Sequence, residues 1–519
     1  MQQVVFRAEW AAAGASALLL ILSFPNFEFY FLAWIALVPL LIVIARRPAP
    51  APAFILGWAV GTVFFYASCY WLTYSMIHYG GLPRLLAYVL LIPGALVIGA
   101  FPGFFALFVA LAVRKWGHMA LLLAPVFWTA LEWARLGVTG QLWNAIGYSQ
   151  AYHHILIQSA NWGGVYAVSF LILAINSAVA LILIKRTRWT IAAASLTAAS
   201  VPAVIVVSLF LVNHKRSSIE ISPVNVIALQ PNVPMKAVKS VEETKELLDR
   251  HWSMSIAALE KLPDDNSPRL VIWPESPMNF TYASDRGFQE QLASFAKANR
   301  TSLLFNSLEP SGANGFYNSA LAINEEGRLI SQYDKIRLMP FGEYVPLPQW
   351  LPGASLITGI VGDFTPGEKY TLMPFGVYRA GVFICIESAY PWIPRRLTNE
   401  GADVLINISN DGYLGPTAVM RQHLANAIFR AVENGRPVIR VTNSGLSALI
   451  DATGDIEDQT GAFQVDVRTW KVSAGHIAGT RYSRHGDIFV YLCVTITLLV
   501  LLAMLFGTLS PRRGRKHIA

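Results

Sequence analysis

Long apolar segments separated by short polar loops fill the first 212 residues, and one more apolar segment lies close to the end of the chain. A helix needs about 20 apolar residues to cross the hydrocarbon layer of a membrane. The pattern therefore predicts eight membrane-spanning helices, at 9–24, 30–45, 53–74, 85–113, 119–136, 163–184, 190–212 and 489–507. Pro93 and Pro102 lie inside the fourth segment and predict a kink there.

The composition excludes an ordinary soluble enzyme, since 54% of the residues are apolar and only 14% are charged. Apolar residues concentrate at the two ends of the chain. We therefore predict a membrane domain of seven helices over 1–212, a soluble domain over 213–488, and an eighth helix with a basic tail over 489–519.

Basic residues in short loops predict the orientation, because Lys and Arg near helix ends stay on the cytoplasmic side. Four groups fall on one side of the predicted membrane: Arg46 and Arg47, Arg114 and Lys115, Lys185 and Arg186 with Arg188, and Arg512 and Arg513 with Arg515 and Lys516. The lone Arg84 lies on the other side. Both termini are predicted to be cytoplasmic and residues 213–488 to face outward. The same anchors explain most of the net charge of +8, so the charge indicates no nucleic-acid partner.

Two ionisable residues, Glu132 and Arg135, lie about one helical turn apart in the fifth apolar segment. An ionisable group at membrane depth is costly and often functional, but at this spacing the two side chains can also neutralise each other. Both interpretations stay open. The loop 137–162 carries no Lys or Arg, is rich in Trp, Tyr, Asn and Gln, and is predicted to form a floor beneath the soluble domain.

From about residue 220, short apolar runs bounded by turn residues alternate with amphipathic segments. The runs predict strands at 224–230, 269–273, 302–307, 318–323, 328–333, 378–386, 402–409 and 437–443. The amphipathic segments predict helices at 241–262, 286–299 and 418–434. The soluble domain is therefore predicted to be α/β, with at least one sheet covered by helices.

Three predicted strands end in residues that can do chemistry: Glu275, Lys335 and Cys385. Sites in open α/β sheets gather at the carboxyl ends of strands. Cys385 is also the one cysteine outside the apolar segments, since Cys69 and Cys493 lie within them. A thiol is mostly protonated at neutral pH, so Glu275 is the candidate base, while the charge of Lys335 favours thiolate and stabilises an oxyanion. Taken one at a time, each residue also has an ordinary structural interpretation: Cys385 as a small buried hydrophobic residue, Glu275 as a carboxylate in a turn, and Lys335 as a solvated surface amine.

The runs Trp-Pro-Glu at 273–275, Tyr-Asp-Lys at 333–335 and Cys-x-Glu at 385–387 resemble the nitrilase or carbon-nitrogen hydrolase superfamily. With the predicted spans, five further segments resemble the apolipoprotein N-acyltransferase family: 131–133, 147–150, 230–234, 338–346 and 364–367. The resemblance covers nearly the whole chain. It implies a nitrilase-like α/β sandwich between membrane helices.

The same resemblance implies a catalytic triad of Glu275, Lys335 and Cys385, supported by Glu343 and Glu387. It implies transfer of an acyl chain from a membrane phospholipid, through a Cys385 thioester, to the α-amine of a diacylglyceryl-cysteine in an apolipoprotein. The site would face the periplasm from a bacterial inner membrane and need no cofactor. No His or Cys cluster has the spacing of metal ligands, so no metal is predicted.

The sequence departs from the family pattern at three places, and these departures concern how the lipid chains of the substrates are bound. They are Ile386, Ala237 with Val238, and Asn410 to Tyr413. Asn410, Tyr413 and Trp350 are candidate substrate contacts. The apolar segment 347–361 suits a lid on the bilayer surface or a buried core loop.

Two other functions fit parts of the pattern: a membrane-tethered amidase that releases the acyl group to water, and a transporter whose outer domain only binds ligands. A transporter would be expected to have charged or helix-breaking residues spread through its spans and no group of nucleophile and base outside them, and this sequence shows the opposite concentration.

Overall fold

A computed structural model describes residues 2–214, 223–235, 239–263, 265, 267–312, 315–340, 342–344, 364–473 and 479–509. The chain divides into two compact units. One comprises 1–150, 163–208 and 487–519, and the other comprises 151–162 and 209–486. We call them the membrane unit and the soluble unit.

Apolar helices build the membrane unit. They are α1 (Gln2–Leu22), α2 (Val38–Arg46), α3 (Pro50–Ser68), α4 (Leu72–His78), α5 (Arg84–Trp116), α6 (Ala124–Thr139), α7 (Ala160–Ile184), α8 (Arg188–His214) and, after the soluble unit, a last helix at Ile488–Leu509. Among the described residues, six helical segments are long and apolar enough to span a membrane: Pro50–Ser68, Arg84–Trp116, His118–Thr139, Ala160–Ile184, Arg188–Leu211 and Ile488–Phe506.

The predicted count of eight spans is therefore not confirmed. The second predicted span, 30–45, is a 3₁₀ turn at Tyr30–Trp34 followed by the nine-residue helix α2. Nine residues of α-helix rise only about 14 Å, about half of the hydrocarbon thickness. The third, 53–74, is divided because α3 ends at Ser68 and α4 begins at Leu72. Helix α5 continues past both Pro93 and Pro102.

Glycines let α3 and α5 approach closely. A Cβ added at Gly57 would lie 2.4 Å from the carbonyl oxygen of Pro102, and one at Gly99 would lie 2.6 Å from the amide nitrogen of Thr62. These distances are far below van der Waals contact, so any side chain would force the helices apart. Small residues at such a crossing allow close packing between membrane helices.

Twelve strands form two six-stranded sheets in the described part of the soluble unit. The strands are β1 (Val224–Gln230), β2 (Arg269–Ile272), β3 (Ser302–Pro310), β4 (Phe316–Ile323), β5 (Leu329–Asp334), β6 (Leu372–Phe375), β7 (Tyr378–Ile384), β8 (Val404–Ser409), β9 (Val438–Thr442), β10 (Ala448–Ile450), β11 (Ile456–Gln459) and β12 (Asp466–Val472). The strand order is β12-β1-β2-β3-β4-β5 in one sheet and β11-β10-β9-β8-β7-β6 in the other.

The two sheets share one apolar core, which confirms the predicted sandwich. In β1, Val224, Val226 and Ala228 point into this shared core, whereas Ile227 and Leu229 belong to a second core on the other face of the sheet. This alternation follows from the two-residue period of a strand. The central strands are buried on both faces and therefore read as continuous apolar runs.

Helices cover the outer faces of the sheets. They are α9 (Val241–Leu259), α10 (Arg286–Asn299), α11 (Trp392–Asn399), α12 (Val419–Asn434) and the short α13 (Arg481–His485), so that the final helix of the chain is α14. Ser240 begins α9 with a capping box, in which its hydroxyl accepts the Glu243 N–H and the Glu243 carboxylate accepts the Ser240 N–H. Asp285 caps α10 in the same position by accepting the N–H of Phe288.

All eight predicted strands are present, and four short or polar strands were missed. Strands β6, β10 and β11 have three or four residues, too few to show a period. The missed β12 lies at an edge and pairs antiparallel with β1, Val224 opposite Val472. Within the loop 137–162, residues 151–162 belong to the soluble unit, where the Tyr152 hydroxyl donates to the Arg421 carbonyl at 2.7 Å.

Candidate active site

Lys335 lies directly after β5, buried with 2% of its surface exposed. Its ammonium is 3.3 Å from Oε1 of Glu275 and 2.9 Å from Oε2 of Glu343. Burial alone would lower the pKa of Lys335, but the negative charges of Glu275 and Glu343 outweigh it and raise that pKa well above its usual value. The structure thus holds a permanent cation here, and the alternative of a solvated surface lysine is wrong.

Asn318 on β4 joins the two carboxylates, a role that no sequence motif indicated. Its amide donates to Oε1 of Glu275 at 2.9 Å and to Oε1 of Glu343 at 2.7 Å. Asn306 on β3 in turn donates to the Asn318 side-chain oxygen at 2.7 Å, which fixes the amide orientation. The second oxygen of Glu275 accepts the backbone N–H of Asn410 at 3.0 Å. Glu275 is therefore oriented by hydrogen bonds to both of its oxygens.

Cys385 follows β7 and begins a short 3₁₀ turn, Cys385–Ala389. Its φ of 53° lies in the left-handed region, where a non-glycine residue is strained by about 1–2 kcal/mol. Such strain is common where a turn must present a reactive side chain. The charges of Glu275 and Lys335 both act on the thiol of Cys385. Burial, and next the charge of Glu275, raise the pKa of Cys385, whereas Lys335 opposes this rise.

Glu387 is fully buried and holds two strand ends together. Its Oε1 accepts the N–H groups of Ile336 and Arg337, at 2.7 and 3.0 Å, just after Lys335. Its Oε2 accepts the N–H of Ile384, at 2.7 Å, just before Cys385, and also the hydroxyl of Tyr333. Burial raises the pKa of Glu387 to about 7, against these hydrogen bonds, which favour its ionised form. Glu387 therefore fixes the position of the lysine relative to the cysteine without itself being a proton acceptor for the thiol.

The other predicted contacts have separate outcomes. The backbone of Asn410 contacts Glu275, and its side-chain oxygen accepts from Gly412 N at 3.3 Å within its own turn. Tyr413 is 41% exposed on the same turn, Asp411–Leu414. Ile386 is buried. Trp350, the segment 347–361, and Ala237 with Val238 lie outside the described residues.

In the membrane unit, Glu132 and Arg135 bind other groups in preference to each other. Oε1 of Glu132 accepts the Trp128 indole N–H at 2.9 Å and the Ile146 N–H at 2.8 Å. Arg135 donates to the Trp143 carbonyl at 2.6 Å. Each side chain binds its own partners, and the opposite charges of the two still attract each other. Neither of the two sequence interpretations is therefore excluded. Both line a small, mainly apolar cavity.

The comparisons with known proteins agree with this arrangement. Residues 16–178 match the N-terminal domain of apolipoprotein N-acyltransferases, and residues 228–482 match the carbon-nitrogen hydrolase family. An apolipoprotein N-acyltransferase from Geobacter metallireducens is 32% identical over 496 residues, covering 94% of each chain. This chain belongs to the apolipoprotein N-acyltransferase family. A family member from Rhizobium leguminosarum bv. trifolii is 30% identical and covers 97% of this chain and 95% of its own.

Family membership explains why one chain combines apolar helices with a hydrolase-like unit. The N-terminal helices match the N-terminal domain of the family, and the soluble unit matches the carbon-nitrogen hydrolase domain. Among solved structures, a member of branch 10 of the nitrilase superfamily from Saccharomyces cerevisiae is 19% identical, with a TM-score of 0.38, and covers 58% of this chain and 99% of its own. The match of residues 228–482 to the carbon-nitrogen hydrolase family confirms the resemblance inferred from Trp-Pro-Glu, Tyr-Asp-Lys and Cys-x-Glu. This acyltransferase-family chain is a multi-pass membrane protein.

Proposed function

We propose that this chain transfers a fatty acyl group from a membrane phospholipid to the N-terminal α-amine of diacylglyceryl-cysteine in apolipoproteins. One observation carries the proposal most strongly. Lys335, Glu275 and Cys385 come from three strand ends far apart in sequence. The ammonium of Lys335 lies 3.3 Å from Glu275, and the charges of both residues act on the Cys385 thiol. This combination of a cation, a carboxylate and a thiol suits acyl transfer through a covalent intermediate. The apolipoprotein N-acyltransferase family supplies the substrate classes.

In the first step of the proposed reaction, Glu275 accepts the Cys385 proton and the sulfur attacks the ester carbonyl of the phospholipid. Since burial keeps the thiol protonated, a nearby base is necessary. The ammonium of Lys335 stabilises the tetrahedral oxyanion. Collapse breaks the ester C–O bond, and Glu275 returns the proton to the departing lysophospholipid oxygen. The products are the Cys385 thioester and a lysophospholipid.

In the second step, the α-amine of the diacylated acceptor attacks the thioester carbonyl. Glu275 accepts a proton from the amine, Lys335 again stabilises the oxyanion, and the C–S bond breaks. The thiolate recovers the proton from Glu275, so the site returns to its starting state. The net change exchanges an ester for an amide, and no cofactor or metal enters either step.

The proposed location is the periplasmic face of a bacterial inner membrane. The basic groups in short loops support it, because Lys and Arg near helix ends favour the cytoplasmic side and so predict residues 213–488 on the opposite side. Reporter fusions after Val212 and after Ala519 test this orientation. A cytoplasmic signal from the first fusion would contradict it.

Intact-mass analysis of the full-length protein tests the proposed chemistry. With phospholipid and no acceptor, the protein should gain the mass of one fatty acyl group on a peptide containing Cys385. Neutral hydroxylamine should remove this group, as expected for a thioester, and a diacylated lipopeptide should discharge it to form a triacylated product. Cys385→Ala is the control and should stay unmodified.

Two outcomes would oppose the proposal. A wild-type protein that forms triacylated lipopeptide without ever carrying the acyl group on Cys385 would show direct transfer. Rapid release of free fatty acid with no lipopeptide product would favour the amidase alternative, in which water accepts the acyl group.

A further inference from the structure

A second buried polar cluster lies behind Cys385 and includes His423 on α12. His423 is 2% exposed, and both of its ring nitrogens face oxygen atoms. Nδ1 is 2.7 Å from Oδ1 of Asp411, and Nε2 is 3.0 Å from the backbone carbonyl oxygen of Cys385. The imidazole thus connects a buried carboxylate with the backbone of the proposed nucleophile.

The hydrogen-bond partners decide where the ring protons lie. A backbone carbonyl oxygen has no proton to give, so Nε2 must carry a hydrogen and donate it to Cys385. At Nδ1, a ring without a hydrogen would direct its lone pair at the carboxylate oxygen of Asp411. With Asp411 ionised, both contacts are attractive only if the ring carries two N–H groups.

Asp411 has the surroundings of an ionised carboxylate. Oδ2 accepts from Nη2 of Arg440 at 2.6 Å, and Oδ1 also accepts the Ser409 hydroxyl at 2.9 Å. Although burial opposes it, the charges of Arg440 and His423 hold the pKa of Asp411 below its usual value. The cluster of Arg440, Asp411 and His423 therefore carries one net positive charge when the ring is doubly protonated.

Asn407 adds a second connection to the same carbonyl. Its side-chain oxygen accepts a hydrogen bond from Arg440, and its amide donates to the carbonyl of Phe383 at 3.1 Å and to that of Cys385 at 3.5 Å. Asn407, which binds Arg440 directly, and His423, which reaches Arg440 through Asp411, thus both hold the carbonyl of Cys385. The φ of Cys385, 53°, is strained. Strain of this kind persists only where neighbouring groups over-determine the backbone.

We propose that His423 is a positioning residue for acyl transfer. As a doubly protonated imidazolium, it fixes the Cys385 carbonyl and thereby the direction of the thiol, and it places a positive charge beside the nucleophile. The inference rests on the proposed role of Cys385 as nucleophile. His423 contacts Cys385 at the backbone carbonyl oxygen, and we assign its effect to this backbone contact. Neither the family motifs nor the strand ends indicated this residue.

Replacing His423 tests the positioning role in the full-length protein in proteoliposomes. His423→Phe keeps a planar ring but removes both donors, and should lower the single-turnover rate of Cys385 acylation about tenfold or more, with little change in the phospholipid concentration for half-maximal rate. His423→Asn retains an amide donor and should recover part of the rate. Asn426→Ala is the matched control, since Asn426 is equally buried on the same helix. It should acylate at nearly the normal rate.

Nitrogen NMR of histidine-labelled wild-type protein tests the protonation state without a substitution that could disturb folding. Near neutral pH, one ring should show two protonated nitrogens, and its signals should disappear in His423→Asn. Spectra in which every ring has a bare nitrogen would overturn the proposal. So would normal acylation by folded His423→Phe, or an equal loss of rate in Asn426→Ala, which would indicate a general effect of helix packing.

A separate readout distinguishes this inference from the proposed function. Alkylation of Cys385 by a small thiol reagent requires neither phospholipid nor an acceptor. If the wild type is never acylated but His423→Phe still slows alkylation about tenfold, then the proposed function fails while the positioning role stands. If alkylation is unchanged in folded His423→Phe, the positioning role is wrong whatever the substrate.

Discussion

Two buried groups of charges, one in each unit, use their hydrogen-bonding capacity differently. In the soluble unit, Lys335 contacts the carboxylates of both Glu275 and Glu343, and Asn318 donates to both. In the membrane unit, Glu132 and Arg135 each bind neutral groups. Oε2 of Glu132 and Nη2 of Arg135 are buried with no hydrogen-bond partner among the described residues.

This difference indicates which of the two groups of charges has a fixed geometry. A fully connected buried network allows few alternative arrangements, whereas each unused polar atom is a cost that another arrangement could relieve. The Lys335 group also draws on residues 275, 318, 335 and 343, which only the fold brings together. The Glu132 pair draws on positions 128 to 146 of one helix and the loop after it. We therefore expect acyl transfer to depend on the first group and not on the second.

Lys335→Met should give the largest effect. The substitution keeps most of the alkyl stem but removes the ammonium, so the oxyanion loses its cation and two buried carboxylates lose their common partner. The rate of Cys385 acylation from phospholipid should fall by about a hundredfold or more. Lys297→Met, at an exposed position at the end of α10, should leave the rate unchanged. Near-normal turnover in Lys335→Met would remove the proposed role of this charge.

Asn318→Ala should give the next largest loss. It removes two donors to ionised carboxylates, each worth about 1.5–3 kcal/mol, and frees Glu275 to rotate. We expect acylation to slow by about tenfold and the thermal midpoint to fall. Asn324→Ala, just beyond the other end of β4, is the matched control. Equal rates for the two variants would mean that Lys335 alone orients the carboxylates.

Glu387→Gln should change the pH dependence of acylation. Burial raises the pKa of Glu387 to about 7, so its ionised form, which accepts three N–H groups and a hydroxyl, predominates only above that pH. The wild-type rate should therefore rise with pH through about 7. A glutamine cannot ionise and presents an N–H₂ group to these donors, so the variant should be several-fold slower at high pH and lack this rise. Glu400→Gln, on the surface, should keep the wild-type profile.

Glu132→Gln should have the smallest effect on stability and on the acylation rate, in contrast to substitutions in the Lys335 group. A glutamine oxygen can still accept from Trp128 and Ile146, so stability should change by less than about 1 kcal/mol. The acylation rate should be unchanged. A loss as large as that in Lys335→Met would show that the membrane pair takes part in the reaction, and the contrast between the two groups would not hold.

The sequence by itself determined the elements with strong local signals. The strand 224–230 was predicted at its observed bounds because it is a short, mainly apolar run, and helix 286–299 because its apolar stripe follows the cap at Asp285. Glu275, Lys335 and Cys385 were found because each ends a recognisable strand within a family motif. The contact between Lys335 and Glu275 follows the rule on strand ends.

Strand pairings and side-chain roles that depend on partners distant in the chain became visible only in the folded structure. Strand β12 pairs with β1 across more than two hundred residues, and its own polar sequence resembles a loop. Asn318 and His423 gave no signal, because an amide or an imidazole acquires its role from the acceptors that the fold places around it. The predicted count of eight spans was not confirmed, for the opposite reason. Apolar content is a local property, but whether a segment such as 30–45 forms one continuous helix depends on how the backbone packs.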